Sequence, residues 1–248
     1  MSLAATWGVL RSMGMYYGQP WKAGRMRRFY TQFIAPGDLC FDVGAHVGNR
    51  VRVFCALGAR VVAVEPQPRM IQVLQRLYGG RDTVVIEPVG ISDAPGALTL
   101  HINTRNPTLT SFSEEWVQGF SEHPDIPAAP WDDKVEVEVQ TLDQLIAVHG
   151  VPAFCKVDVE GLEDRVLQGL SQPVPALSFE AYPLQKERSL AAIARVRALG
   201  DYRFRTVSAE TFRWSQAEWV SGEEICRWIE QRSIADGSED VYAQRVSD

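Results

Sequence analysis

Between Leu39 and Leu77 the apolar positions change period repeatedly. Leu39, Phe41 and Val43 alternate with other residues as in a strand, and Val47, Val51, Phe54 and Cys55 then recur on one helical face until Gly58 stops the run. Val61 to Val64 form a second strand, and Met70, Val73, Leu74 and Leu77 repeat the helical spacing up to Gly79 and Gly80. A short strand over Thr83 to Ile86 completes a strand, helix, strand, helix, strand unit. Leu98 to Ile102 and the alternating Val135 to Val139 depart from this winding and read as an inserted pair of half-exposed strands.

Thr141 caps a helix carrying Leu142, Leu145 and Ile146. Further strands are expected over Ala153 to Val159, Ala176 to Tyr182, Tyr202 to Val207 and Val241 to Arg245, with helices over Leu162 to Leu170, Leu190 to Leu199 and Glu223 to Arg232. Alternation of this kind predicts an α/β, doubly wound, mostly parallel sheet with helices on both faces. Ligands bind such sheets outside the carboxyl ends of the strands, where the order reverses. Asp42, Glu65 and the segment Asp158-Val159-Glu160-Gly161 should therefore converge.

The 248 residues, 46% of them hydrophobic, can build a large core, and no linker divides them. One domain is expected over 1–248, with an N-terminal helical segment (1–36) and the sheet core (37–248). A net charge of -6 argues against a general nucleic-acid surface. No apolar run reaches membrane-spanning length and no signal-peptide core follows Met1, so a cytoplasmic location is expected. Cys40, Cys55, Cys155 and Cys226 lack a C-x-x-C spacing and read as buried thiols, while His46, His101, His123 and His149 show no zinc-ligand spacing.

The chemistry gathers at the strand ends. Gly44 and Gly48 permit a tight turn after the first strand, but a dinucleotide fingerprint would need glycines where His46 and Asn49 stand. Asp42 would repel a pyrophosphate and attract an ammonium, and Glu65 can accept both hydroxyls of a ribose, which together suit S-adenosylmethionine. Lys156, Asp158 and Glu160 alternate where a buried parallel strand should be apolar, so they need partners or a function. A Lys156 pair with a carboxylate is the structural alternative, and Glu163 and Asp164 read as charges at a helix N-terminus.

With Phe41-Asp42-Val43-Gly44-Ala45-His46-Val47-Gly48, Val64-Glu65-Pro66, Ile91-Ser92-Asp93, Thr141-Leu142-Asp143 and Lys156-Val157-Asp158-Val159-Glu160-Gly161-Leu162-Glu163, the chain resembles the FkbM family of S-adenosylmethionine-dependent methyltransferases from about Pro36 to Tyr182. The resemblance implies the class I methyltransferase (Rossmann-like) fold, a seven-stranded sheet with its last strand antiparallel, and commonly O-methylation of sugar or natural-product hydroxyls. It adds Ala45, His46, Gly48, Pro66, Ile91, Ser92 and Asp158 to the expected cofactor-binding residues Asp42, Gly44 and Glu65. His46 stands where the family more often has Asn.

For the acceptor, Asp158 is the candidate base, with Glu160 and Lys156 completing the catalytic set. Alternatively, a divalent ion such as magnesium or manganese, held by Asp158, Glu160 and Glu180, would lower the hydroxyl pKa. The polar stretch from Asn103 to Lys134 holds the candidate substrate residues Asn106, Thr110 and Ser111 and reads as a lid, with a short helix over Glu114 to Phe120. Trp116 and Trp131 could cover a sugar face or pack that loop. Tyr16, Tyr17 and the cations Lys22, Arg25, Arg27 and Arg28 could close over the site, although a solvated amphipathic helix accounts for the charges. The expected partner is a small-molecule, glycan or glycolipid acceptor. Two other classes compete: a nicotinamide-dependent oxidoreductase or epimerase, and a non-catalytic S-adenosylmethionine-binding domain.

Overall fold

The computed structural model describes residues 3–122 and 130–246. Helices α1 (Leu3–Tyr17) and α2 (Pro20–Tyr30) precede β1 (Leu39–Val43), α3 (Asn49–Ala56), β2 (Arg60–Val64), α4 (Pro68–Tyr78) and β3 (Val84–Glu87). There follow β4 (Gly90–Ile91), β5 (Gly96–Ile102), α5 (Glu114–Glu122), β6 (Asp133–Gln140), α6 (Leu142–His149) and β7 (Phe154–Val157). The chain continues through α7 (Glu163–Gln168), β8 (Ala176–Ala181), α8 (Lys186–Leu199), β9 (Tyr202–Ser208), α9 (Gly222–Gln231) and β10 (Glu239–Arg245).

Seven strands form the main sheet in the order β3-β2-β1-β7-β8-β10-β9. The five from β3 to β8 run parallel, and β10 lies antiparallel to both β8 and β9. This is the seven-stranded sheet with an antiparallel last strand that the resemblance implies. The winding runs from β1 outwards to β2 and β3, then returns to the other side of β1 with β7, so the order reverses between β1 and β7.

Alternation along the strands feeds two cores. Leu39, Phe41 and Val43 join Val62 and Val64 on one face, while Cys40 joins Val61 and Ala63 on the other. Met26, Phe29 and Tyr30 of α2 enter the second core, where the Tyr30 ring meets Phe54 at 5.0 Å. The N-terminal segment is thus packed on the sheet. Cys40 and Cys155 are buried as expected, but Cys55 and Cys226 are only half-buried.

Two expectations are corrected, and one open alternative is decided. The inserted pair of strands is a three-stranded sheet, because Gly90–Ile91 pairs parallel with β6; two residues are too short to show a period. The fourth core strand ends at Val157, not Val159, because the chain turns through positive φ at Glu160 (57°) and Gly161 (100°). Asp158 and Glu160 therefore lie on a turn rather than alternating along a strand. In the loop, Trp116 packs on Phe120 and Tyr182 and is 2% exposed, while Trp131 Nε1 donates to the Leu109 carbonyl. Both indoles pack the loop. His123 and the rest of 123–129 lie outside the described residues.

Candidate active site

Gly44, the first residue beyond β1, has φ +79°, and a Cβ there would stand 1.8 Å from the Asp158 carbonyl oxygen. Only glycine lets these two strand ends approach so closely. Its N–H and that of Ala45 donate to the Val64 carbonyl, folding the turn against the end of β2. There the buried Glu65 carboxylate accepts the His46 N–H at 2.7 Å on Oε2 and the Gln67 N–H at 2.8 Å on Oε1. Each oxygen retains a second lone pair. Burial pushes the Glu65 pKa up to about 7, against the pull of those two N–H groups.

Across β1 from Glu65 lies the Asp158 turn. Two strand spacings, about 10 Å, separate the ends of β2 and β7. Lys156 Nζ donates to Asp158 Oδ2 at 2.7 Å, and Asp42 Oδ1 is 3.9 Å from the same ammonium. Burial opposes ionisation of Asp158, but Lys156 overrides it and holds its pKa below the usual range. Burial raises Glu160 and Glu180 well above theirs, helped at Glu160 by the charge of Glu180 and at Glu180 by that of Asp158. One carboxylate oxygen from each of Asp158, Glu160 and Glu180 lies within 4.8 Å of the others.

The turn itself is held by Glu163, whose carboxylate accepts the N–H groups of Val159 (3.0 Å on Oε1) and Gly161 (3.1 Å on Oε2). Ser111 donates to the Glu160 carbonyl at 2.6 Å, tying the loop after β5 to the same turn. Gln67 Nε2 reaches the Pro107 carbonyl at 3.0 Å. On the N-terminal side, Tyr17 donates to the Val47 carbonyl at 2.9 Å and sits 2.7 Å from the Tyr78 hydroxyl, which in turn donates to the Gly48 carbonyl.

These elements line one cleft that opens to solvent. Of the residues expected from sequence, Gly44, His46, Glu65, Pro66, Ile91, Thr110, Ser111, Asp158 and Glu160 line it. Tyr16 of α1 does so too, its ring meeting His46 edge-on at 5.8 Å. His46 has φ 50°, both ring nitrogens lack a hydrogen-bond partner among the described residues, and burial lowers its pKa to about 4. Its imidazole is neutral at pH 7.

Other expected residues lie off the lining. Asp42 is fully buried within β1, in register with Lys156, so its carboxylate acts on that ammonium beneath the floor; burial raises its pKa to about 6. Ala45 and Gly48 shape the turn from behind, and a Cβ at Gly48 would meet the Tyr78 ring at 2.6 Å. Ser92 is buried and donates to Asp93. Asn106 Oδ1 is taken by Arg11 and Thr108. Glu180 lines an adjoining small cavity with Trp116, Tyr182 and Gln185.

Sequence reasoning missed Val89, Leu100, Thr108 and Phe112 in the lining, since apolar and hydroxyl residues carry no distinctive spacing. It also missed the clamp made by Glu163, which was read as a dipole charge. Its place three residues after Glu160 and two after Gly161 was the available signal.

The sequence matches the model of the methyltransferase FkbM domain over residues 42–232. No curated protein matches it. Among solved structures it is similar to a SAM-dependent O-methyltransferase from Thermotoga maritima, with 11% identity, 92% of this chain and 66% of that chain covered, and a TM-score of 0.44. It is also similar to the precorrin-6y C5,15-methyltransferase of Geobacter metallireducens (9% identity, 92% and 87% covered, TM-score 0.43). An rRNA methylase of Streptococcus thermophilus gives 12% identity, 89% and 94% covered, and a TM-score of 0.43. The chain spans just under two thirds of the Thermotoga protein.

Proposed function

Because the chain belongs to the FkbM methyltransferase family, we propose that it moves a methyl group from S-adenosylmethionine to a hydroxyl of a small-molecule, glycan or glycolipid acceptor. The observation that carries this reading is one cleft joining a backbone-organised carboxylate, Glu65, to the carboxylates of Asp158 and Glu160, with Glu180 close behind. When bound, S-adenosylmethionine supplies a methyl already activated by its sulfonium charge.

The residues present fit that cofactor. Glu65 would accept both ribose hydroxyls on its spare lone pairs, each charge-assisted bond worth about 1.5–3 kcal/mol. Val89, Ile91 and Leu100 offer an apolar wall for a base. Gly44, His46 and Tyr16 bound the part of the cleft nearest the end of β1, where a methionine chain would lie. Asp42 would act on that end only through Lys156.

Alignment of the acceptor oxygen can supply about 7–11 kcal/mol of the barrier. The hydroxyl proton must still leave, and a positioned base contributes about 10²–10⁴-fold. Once ionised, Glu160 is the stronger proton acceptor of the two, since burial and Glu180 raise its pKa while Lys156 lowers that of Asp158. Asp158, Glu160 and Glu180 are also spaced to share a divalent cation such as magnesium or manganese, which would acidify the hydroxyl instead. Thr110 and Ser111 bring the loop's hydroxyls to the same cleft.

Calorimetry with S-adenosylhomocysteine and with NAD tests the reading. Micromolar binding of the first is expected. Tight NAD binding without it would overturn the proposal in favour of an oxidoreductase or epimerase. Cofactor binding with no methylation of any hydroxylated acceptor in a broad panel would point to a binding domain.

A further inference from the structure

Every charged residue before Asp38 is a cation: Arg11, Lys22, Arg25, Arg27 and Arg28. The chain as a whole is acidic, with 31 Asp and Glu against 25 Lys and Arg. Among the described residues, none of Lys22, Arg25, Arg27 and Arg28 forms an ion pair with a carboxylate. The same helices leave large apolar side chains in solvent, with Trp7 66%, Leu10 60% and Trp21 65% exposed.

The helical spacing puts the two kinds of residue together. On α1, Trp7, Leu10 and Arg11 stand at i, i+3 and i+4; on α2, Trp21, Arg25 and Arg28 stand at i, i+4 and i+7, and all six are exposed. A merely solvated face would explain the cations but not two bare indoles and a bare leucine. The opposite faces are fixed to the protein. A Cβ at Gly8 would lie 2.3 Å from the Thr104 carbonyl oxygen, Tyr16 lines the cleft, and Met26, Phe29 and Tyr30 sit in the core.

We propose that the outer faces of α1 and α2 dock the protein reversibly on an anionic phospholipid bilayer. Indoles favour the headgroup region, where an apolar body and a polar N–H are both satisfied, and neighbouring Lys and Arg are drawn to anionic lipid. No helix among the described residues is long and apolar enough to cross a membrane, so the contact is peripheral. A nucleic acid fits less well, because Leu10 offers nothing to a phosphate backbone and the acidic remainder would repel a polyanion that extended beyond the patch. A planar bilayer meets only the patch, and at about 0.1 M salt charges more than about 10 Å away are screened.

The test is cosedimentation of the full chain with phosphatidylcholine vesicles, with and without about 30% phosphatidylglycerol. Binding should be at least about 10-fold stronger to the anionic vesicles and should be released by about 0.5 M salt. The triple variant Trp7→Ser/Leu10→Ser/Trp21→Ser should lose about 10-fold or more in partitioning, as should Arg25→Ser/Arg27→Ser/Arg28→Ser, which changes only exposed charges. Thermal melting and S-adenosylhomocysteine binding should stay close to wild type in the cationic variant. Equal or absent binding to both vesicle types would overturn the proposal. So would wild-type partitioning by the cationic variant, RNA binding without vesicle binding, or a dimer in light scattering that masks these residues from vesicles.

Discussion

Lys156 Nζ stands 2.7 Å from Asp158 Oδ2, a contact across one residue at the end of β7. It keeps one carboxylate of the cluster ionised and leaves the proton chemistry to its neighbours. Lys156 itself is held charged against burial by Asp158 and Asp42.

Glu160→Gln should therefore lower turnover by about 10²–10⁴-fold while S-adenosylhomocysteine affinity stays within a few-fold. Asp158→Asn should also lose about 10²-fold or more, through a disrupted Lys156 pair or a lost metal ligand. Steady-state kinetics paired with calorimetry separates binding from chemistry. Near wild-type turnover by Asp158→Asn would confine Asp158 to its role as partner of Lys156.

Glu65→Ala should lose most of the cofactor affinity, because the ribose hydroxyls lose their acceptor and the His46 and Gln67 N–H groups lose theirs. In the wild type, binding to the ionised carboxylate should weaken as pH falls below about 7, where Glu65 gains its proton. Glu65→Gln should bind weakly and without that pH dependence. Calorimetry from about pH 5.5 to 8 reads both effects, and an unchanged pH profile in Glu65→Gln would exclude Glu65 as the titrating group.

Ligand-free stability should fall with rising pH. Burial raises Asp42 to about 6 and Glu65, Glu163 and Asp240 to about 7. Each then binds its proton more tightly folded than unfolded, so the stabilisation is full below the unfolded carboxyl values of about 4 and is lost as pH rises through 6 to 7. Thermal melts should give a lower midpoint at about pH 8 than at about pH 5.5. A flat or rising midpoint over that window would show that these acids do not dominate the linkage.

A divalent cation provides a separate check on the cluster. If Asp158, Glu160 and Glu180 share one, manganese or magnesium should raise the melting midpoint at about pH 8, and Glu180→Gln should remove the effect. Activity should then vanish with a chelator and return with the metal. Chelator-resistant turnover would leave Glu160 as a direct base.

The sheet was legible because its signals are local. The alternation of Leu39, Phe41 and Val43, the β-branched Val61, Val62 and Val64, and the cap at Thr141 each constrain a few consecutive residues, and the order of elements then allows few ways to wind a parallel sheet. The sequence also marked Glu65, Gly44 and the Asp158 to Gly161 segment as strand-end residues, and all three belong to the cleft or its turn.

What the sequence could not carry was orientation. Asp42 and Glu65 look equivalent as strand-end acids, yet one faces Lys156 inside the sheet and the other faces the cleft, because Asp42 is still within β1 while Glu65 lies just past β2. The same holds for Asp158, which alternation placed on a strand and which the left-handed turn at Glu160 and Gly161 places on its rim. Periodicity reports which residues share a face; which face borders the ligand is decided by where each strand stops and by the contacts, such as Glu163 with the turn N–H groups, that only the folded chain makes.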